Sequence, residues 1–303
     1  MNKNKNNKTL VSILMNCYNG ETYLSESIQS VLSQTYKNWE LIFWDNKSTD
    51  KSAKIFKGFS DSRLKYYQAS EHTVLYKARN EAIKKSSGEF IAFLDTDDLW
   101  EKSKLELQMP LFDDLKTGVV YGDFFLINEQ LNTKKIFLKG KKPKGYILNS
   151  LLKNYCTGLP TIVIRKKFLN INQGAFDETF NIIGDFDLMI RMSAKHKFDY
   201  ISKPVASYRI HGNNESLKKK DNQIEELKIW CNKIKKYPDI FNNKNFIYIN
   251  KKINNLEIVN LFLENDLSKV RLKIKKMPIS FKKIKYIMAL FLPYSFIKKF
   301  IQF

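Results

Sequence analysis

Short apolar runs alternate with amphipathic stretches through the first hundred residues. Residues 10–15 (LVSILM) form an apolar, β-branched run that reads as a buried strand, closed by the turn signal Asn16-Cys17-Tyr18-Asn19-Gly20. Over residues 21–34, Leu24, Ile28, Val31 and Leu32 recur at the spacing of an amphipathic helix. A second strand, 39–44, runs into a polar cluster from Asp45 to Asp50 that can cap a helix over 51–59. Residues 64–68 predict a third strand, 74–85 a helix stopped by Ser86-Ser87-Gly88, and 89–94 a fourth strand ending in Asp95-Thr96-Asp97-Asp98.

Strands alternating with helices at this pitch predict βαβ units and an α/β fold with a mainly parallel sheet. In such sheets ligands bind beyond the carboxyl ends of the strands. The clusters at 16–20, 45–50 and 95–98 all fall there. Further along, strands are predicted over 118–128 and 161–164, with 133–138 pairing with the first, and residues 176–195 hold a loop and a helix. From 218 on, helices rich in Lys, Asn and Glu carry no catalytic-looking cluster.

Charge changes this picture most. Lys and Arg total 52 against 31 Asp and Glu, a formal +21, and a field of that sign attracts polyanions: nucleic acid, anionic membrane or phosphorylated substrates. The alternative is a proteome simply rich in Lys and Asn. Three scattered cysteines, Cys17, Cys156 and Cys231, form no CxxC pair, which argues against a disulfide framework or zinc site and fits a reducing compartment. Residues 1–8 are polar and read as disordered, and the apolar run that follows is too short for a signal segment. With no stretch long enough to span a bilayer, the expectation is a cytoplasmic protein, peripheral on the inner face of the plasma membrane.

Asp95-Thr96-Asp97 follows a hydrophobic strand directly, and alternation puts its two carboxylates on one side. Paired oxygens suit a hard divalent cation that keeps open positions for phosphate, neutralising a leaving diphosphate. Alone, such a pair is as readily a loop or helix cap. The ordered set of clusters is more specific. Val11-Ser12-Ile13-Leu14 with Tyr18-Asn19, Asp45 with Ser48-Thr49-Asp50, Ala78-Arg79-Asn80, and the run from Gly88 to Asp98 come in sequence. Phe176-Asp177-Glu178, Gly184-Asp185-Phe186-Asp187-Leu188, and Tyr208-Arg209-Ile210-His211 with Asn213, Asn214 and Ser216 follow. Together they resemble the family 2 glycosyltransferases of GT-A fold over about residues 9–217.

The resemblance implies an inverting, nucleotide-sugar-dependent transferase. Its nucleotide-binding half would span about 9–100, its acceptor half about 101–217, and 218–303 would be a helical basic extension. By resemblance, Asn16 and Tyr18 line the nucleobase pocket, Asp45 accepts from a uracil imino N–H, Arg79 reaches base or diphosphate, and Asp95 holds ribose or metal. Asp97 is the principal ligand of Mn²⁺ or Mg²⁺, with His211 as the second, and Asp185 is the general base. Asp187, two residues on, competes for that last role. His72 and His196 have no motif around them and read as surface residues. The implied donor is a UDP-sugar and the acceptor a glycan or lipid-linked saccharide, its determinants somewhere in 121–160.

The chain departs from the family pattern in places. Asp45-Asn46 stands for two acidic residues, Lys47 for the glycine that usually follows, and Gly184 for the acidic residue before the base. A glycine ahead of Ala78 is missing from 73–77. A nucleotidyltransferase would show a glycine-rich phosphate loop after the first strand, where this chain has one glycine. A nucleic-acid binder would interleave basic residues with aromatics on one platform; the excess charge gathers late in the chain instead. From Lys269 onward there is no acidic residue, and lysines flank a short apolar run at 286–292 and recur at Lys298-Lys299. That pattern predicts either an interfacial anchor for an anionic membrane or a helix packed on its neighbours.

Overall fold

A computed structural model describes residues 9–128, 130–137, 140–212, 214, 220–293 and 296–297. The expected disorder of residues 1–8, and Asn213, Ser216, Lys298 and Lys299, lie outside the described residues. The chain forms two compact units, Met1–Lys218 and Lys219–Phe303.

In the first unit, β1 (Val11–Cys17), β2 (Trp39–Asp45), β3 (Leu64–Gln68) and β4 (Phe90–Phe93) alternate with α1 (Leu24–Leu32), α2 (Ser52–Lys57) and α3 (Leu75–Lys84). Every residue of β1, β2 and β4 is buried, as expected of parallel strands covered on both faces. Val11, Ile13, Met15, Leu41, Phe43 and Ala92 share one core with Leu24, Ile28 and Val31 of α1. The next elements are β5 (Leu99–Trp100), α4 (Lys104–Gln108), β6 (Thr117–Asn128), β7 (Thr133–Ile136), α5 (Leu148–Lys153), β8 (Val163–Arg165), α6 (Gly184–Lys195) and β9 (Lys197–Arg209).

The sheet runs β3-β2-β1-β4-β8-β6-β9-β5, with β7 paired to β6. Its N-terminal half is parallel throughout. Beyond β4 it becomes mixed: β8 inserts antiparallel to both β4 and β6, β6 and β9 run parallel, and β5 is antiparallel to β9. The pairing of β6 with β9 shifts register on both sides of Asp123, the mark of β-bulges. β9 was not apparent in the sequence pattern, because Lys197, Lys203 and Pro204 interrupt its alternation.

The second unit contains α7 (Lys220–Lys233), α8 (Pro238–Phe241), α9 (Ile247–Leu263), α10 (Leu267–Lys276) and α11 (Phe281–Ala289). Ile258 and Phe262 of α9 pack with Val270 and Ile274 of α10 and Tyr286 and Ala289 of α11.

Candidate active site

The carboxyl ends of β1, β2 and β4 lie side by side, and short contacts fasten their loops together. Asn19, in the left-handed region at φ 53°, donates its N–H to Ser48 Oγ and accepts from the Thr49 N–H. A Cβ on Gly20 would meet Thr96 Oγ1 at 2.7 Å, so only glycine lets the first loop approach the Asp95–Asp98 turn this closely. Ser27 of α1 donates to the carbonyls of Thr96 and Asp98, both at 2.7 Å, and fixes that turn from below.

β9 closes the site from the other side. Arg209 donates its backbone N–H to Asp98 Oδ1 at 3.0 Å and its Nε to the Asp97 carbonyl at 3.0 Å, while Nη2 pairs with Glu26. This buried clamp delivers His211, two residues on, to the carboxylate of Asp97: Nε2 lies 2.9 Å from Oδ2. Asn214 braces the turn, accepting from the His211 N–H and donating to the Arg209 carbonyl. Burial and the neighbouring Asp95 charge push the Asp97 carboxyl up from its ordinary value, against the pull of His211. Burial, with Asp97 and Asp95 close by, raises Asp98 well above it.

Among the described residues no three His, Cys, Asp or Glu side chains converge as a ready-made metal centre. The donor set nevertheless fits a divalent cation, because imidazole nitrogen and carboxylate oxygen already face one another, both partly exposed. Asp95 is turned elsewhere, its Oδ1 accepting from Arg79 Nη2 at 2.7 Å. Arg79 is buried on α3, with its guanidinium over the rings of Tyr76 and Phe176.

Asp45 has no exposed surface; its Oδ1 accepts from the Ser48 N–H at 2.7 Å and its Oδ2 from the Tyr66 hydroxyl at 2.6 Å. Both carboxylate oxygens of Asp45 thus anchor its own loop, and a contact to a base would need one of them released. Tyr18 is 52% exposed and offers a ring face. Against it, at 4.0 Å between centroids, lies His72, whose Nδ1 is held by the carbonyl and side chain of Asn46. No sequence signal marked His72, because its neighbourhood to Tyr18 arises only from the folding of two loops. Asn16, next to last in β1, has its side-chain amide nitrogen buried and without a hydrogen-bond partner among the described residues, a group that a ligand can satisfy. His196 is half-buried and stacks on Phe168 at 4.0 Å.

α6 carries the two competing carboxylates. Asp187 is buried and engaged by Arg191, whose Nε and Nη2 donate to its Oδ2 at 2.9 and 2.7 Å. Asp185 is partly exposed, and its backbone N–H donates to the Tyr76 hydroxyl. Burial raises its carboxyl while Arg79 pulls the other way. Asn80 links the motifs, its side-chain amide bonding the Phe176 N–H and carbonyl and Glu178. Lys47, standing for a family glycine, takes φ 71°, a conformation glycine adopts without cost.

A family model described as glycosyl transferase family 2 matches residues 12–195. The chain is 42% identical over 161 residues to the UDP-Glc:alpha-D-GlcNAc-diphosphoundecaprenol beta-1,3-glucosyltransferase WfgD of Escherichia coli, covering 53% of this chain and 62% of that protein. It is 30% identical over 162 residues to the putative teichuronic acid biosynthesis glycosyltransferase TuaG of Bacillus subtilis, covering 53% and 64%. Both matches thus span less than two thirds of those relatives. An uncharacterized glycosyltransferase of Methanocaldococcus jannaschii is 30% identical over 216 residues, 69% of this chain and 74% of its own. Among solved structures, S. aureus TarS 1-349 in complex with UDP-GlcNAc superposes with a TM-score of 0.62 at 18% identity, covering 92% of this chain and 79% of that one. The mannosyltransferase PcManGT from Pyrobaculum calidifontis, in complex with GDP-Man and Mn²⁺, gives 0.61 at 13%, covering 96% and 84%. At these identities the likeness establishes the fold.

Proposed function

Because this chain belongs to glycosyltransferase family 2, we propose that it transfers a sugar, with inversion, from a UDP-sugar to a hydroxyl of a lipid-linked saccharide. The observation that carries this reading is the meeting, at one sheet edge, of Asp97 with His211 and of Arg79 with Asp95, in the unit that also holds the partly exposed Asp185.

Tyr18 and His72 form an aromatic platform for the base, with Asn16 supplying a buried amide. Arg79, held beside Asp95, presents positive charge towards a diphosphate. Asp97 and His211 would hold a divalent cation, which supplies charge neutralisation to the leaving diphosphate. Asp185 accepts the proton of the attacking hydroxyl; a carboxyl raised by its surroundings is a stronger base than an exposed one. Asp187 is committed to Arg191 and orients the helix. WfgD is named for a diphosphoundecaprenol-linked acceptor, and that chemistry supports a lipid-linked acceptor here.

Such an acceptor is confined to a membrane, and we place the protein at its anionic inner face. Among the described residues no helix is long and apolar enough to cross a membrane. The C-terminal unit exposes Leu272, Ile279, Phe281, Ile284, Met288 and Phe291 within a segment devoid of acidic residues, a composition suited to interfacial attachment.

The test is nucleotide release from a panel of UDP- and GDP-sugars, with and without Mn²⁺ or Mg²⁺. Metal-dependent release from a uridine donor supports the reading, and no release from any donor would refute it.

A further inference from the structure

The segment 154–158, between α5 and β8, carries two side-chain hydroxyls that the chemistry above does not use. It is held from both sides. On one, Cys156 Sγ lies 4.0 Å from the hydroxyl of Tyr121 on β6, and a Cβ on Gly158 would meet the ring of Phe124 at 2.7 Å. On the other, the Tyr155 ring packs edge-on against Phe186, the residue after Asp185 on α6, with 5.2 Å between centroids.

Among the described residues, the Tyr155 hydroxyl and Thr157 Oγ1 are buried without a hydrogen-bond partner. Buried polar groups left bare are costly and uncommon, so each asks for a partner. Burial pushes the Tyr155 phenol well above its ordinary value and the Asp185 charge pushes it further, with Thr157 pulling the other way. The phenol therefore stays protonated, a hydrogen-bond donor within the field of the proposed base. The Asp185 charge also acts on Tyr76 and on Arg79, the partner of Asp95. One carboxylate is thus within electrostatic reach of both the bare phenol and the arginine assigned to the diphosphate.

An attacking hydroxyl has to reach Asp185, which is partly exposed. A sugar carries further hydroxyls on the neighbouring carbons, each able to donate and to accept. Resting on the reading that Asp185 is the base for a saccharide acceptor, we propose that Tyr155 and Thr157 bind a second hydroxyl of the acceptor sugar, beside the one that attacks. Their oxygens are covered in the free protein and gain partners when the sugar enters. They orient the acceptor, and the proton still goes to Asp185. A site built to bond a hydroxyl discriminates strongly against an acceptor that lacks it.

The test compares the full chain with Tyr155→Phe and Thr157→Val, each of which removes one oxygen and nearly keeps the shape. Neither hydroxyl has a partner to lose, so both variants should melt at or above the temperature of the parent. A clear fall in melting temperature would show a role in folding and overturn the assignment. With saturating UDP in the nucleotide site, calorimetry then measures binding of an N-acetylglucosaminyl diphosphate bearing a short alkyl chain, and of analogues each lacking one ring hydroxyl. Each variant should bind the complete probe about tenfold more weakly than the parent. For one of the analogues, parent and variants should bind alike, because the hydroxyl they read is already gone. Equal affinity of parent and variants for the complete probe overturns the proposal, as does an equal loss for every analogue or no binding by the parent. An effect in one variant only overturns the assignment of the other residue. A matching loss of UDP affinity would place the defect in the donor site and overturn it too. Binding is read without turnover, so failure of the transferase reading would show separately, as absent nucleotide release from the parent chain.

Discussion

The side chain that Gly184 lacks would stand 2.6 Å from the ring of Tyr76. The Tyr76 hydroxyl donates to the Ile182 carbonyl and accepts from the Asp185 N–H, so this ring fixes the segment that carries the proposed base. Tyr76 is buried against Phe176, and the ring cannot retreat. The departure from the family at Gly184 is thus a steric complement to Tyr76.

Gly184→Ala should therefore overpack the site and cost about 1–3 kcal/mol of stability. Tyr76→Leu in the same chain should recover part of that loss. Urea denaturation of the single and double variants measures the coupling, and strict additivity would show that the two positions act separately.

Asp185→Asn keeps shape while removing proton acceptance, so kcat should fall by about 10²–10⁴-fold with donor binding intact. Asp187→Asn should instead weaken the Arg191 pair and lower the melting temperature more than it lowers kcat. Steady-state kinetics beside melting curves separates the two; an inactive Asp187→Asn with an active Asp185→Asn would reverse the roles. Since burial raises the Asp185 carboxyl, activity should be present above that raised value and lost as pH falls through it. The acid limb of kcat should accordingly be shifted upward from that of an unperturbed aspartate and disappear in Asp185→Asn.

Removal of metal by EDTA should abolish nucleotide release, and added Mn²⁺ should restore it. Asp97→Ala should cut turnover by orders of magnitude, and His211→Ala should raise the Mn²⁺ concentration needed for half-maximal rate. Full activity in EDTA would dismiss both assignments.

Asp45→Ala should act on stability, since it strands the Tyr66 hydroxyl and the Ser48 N–H in a buried place; the expected loss is about 2–3 kcal/mol. His72→Ala should leave stability nearly unchanged and weaken UDP binding several-fold. Calorimetry with UDP and thermal melts on both variants decides whether the base is read from Asp45 or from the Tyr18–His72 platform.

Deleting residues 269–303 would also strip Val270, Ile274 and Tyr286 from Ile258 and Phe262, so a truncation mixes folding with attachment. Phe281→Ser with Ile284→Ser removes two exposed side chains and spares that core. Sedimentation with anionic liposomes should show release of this variant at moderate salt while nucleotide release persists. Equal sedimentation of variant and parent would show that this face is not an anchor.

The first half of the sheet and its three polar strand ends were legible from sequence, because hydrophobic period and turn residues act over a few positions. Lys47 and Gly184 were visible as departures, though not their causes. The tertiary structure decided which side chains meet across separate elements. Tyr66 arrives from β3 to close over Asp45, and His72 comes from a separate loop to cover Tyr18. Arg191, one helical turn past Asp187, takes that carboxylate and leaves Asp185 partly exposed. β9, hidden by its lysines and Pro204, carries Arg209 to the Asp97 turn and His211 to its carboxylate. Local period fixes which residues become strand or helix, whereas burial and pairing depend largely on contacts between separate elements, up to the 111 residues between Asp98 and Arg209.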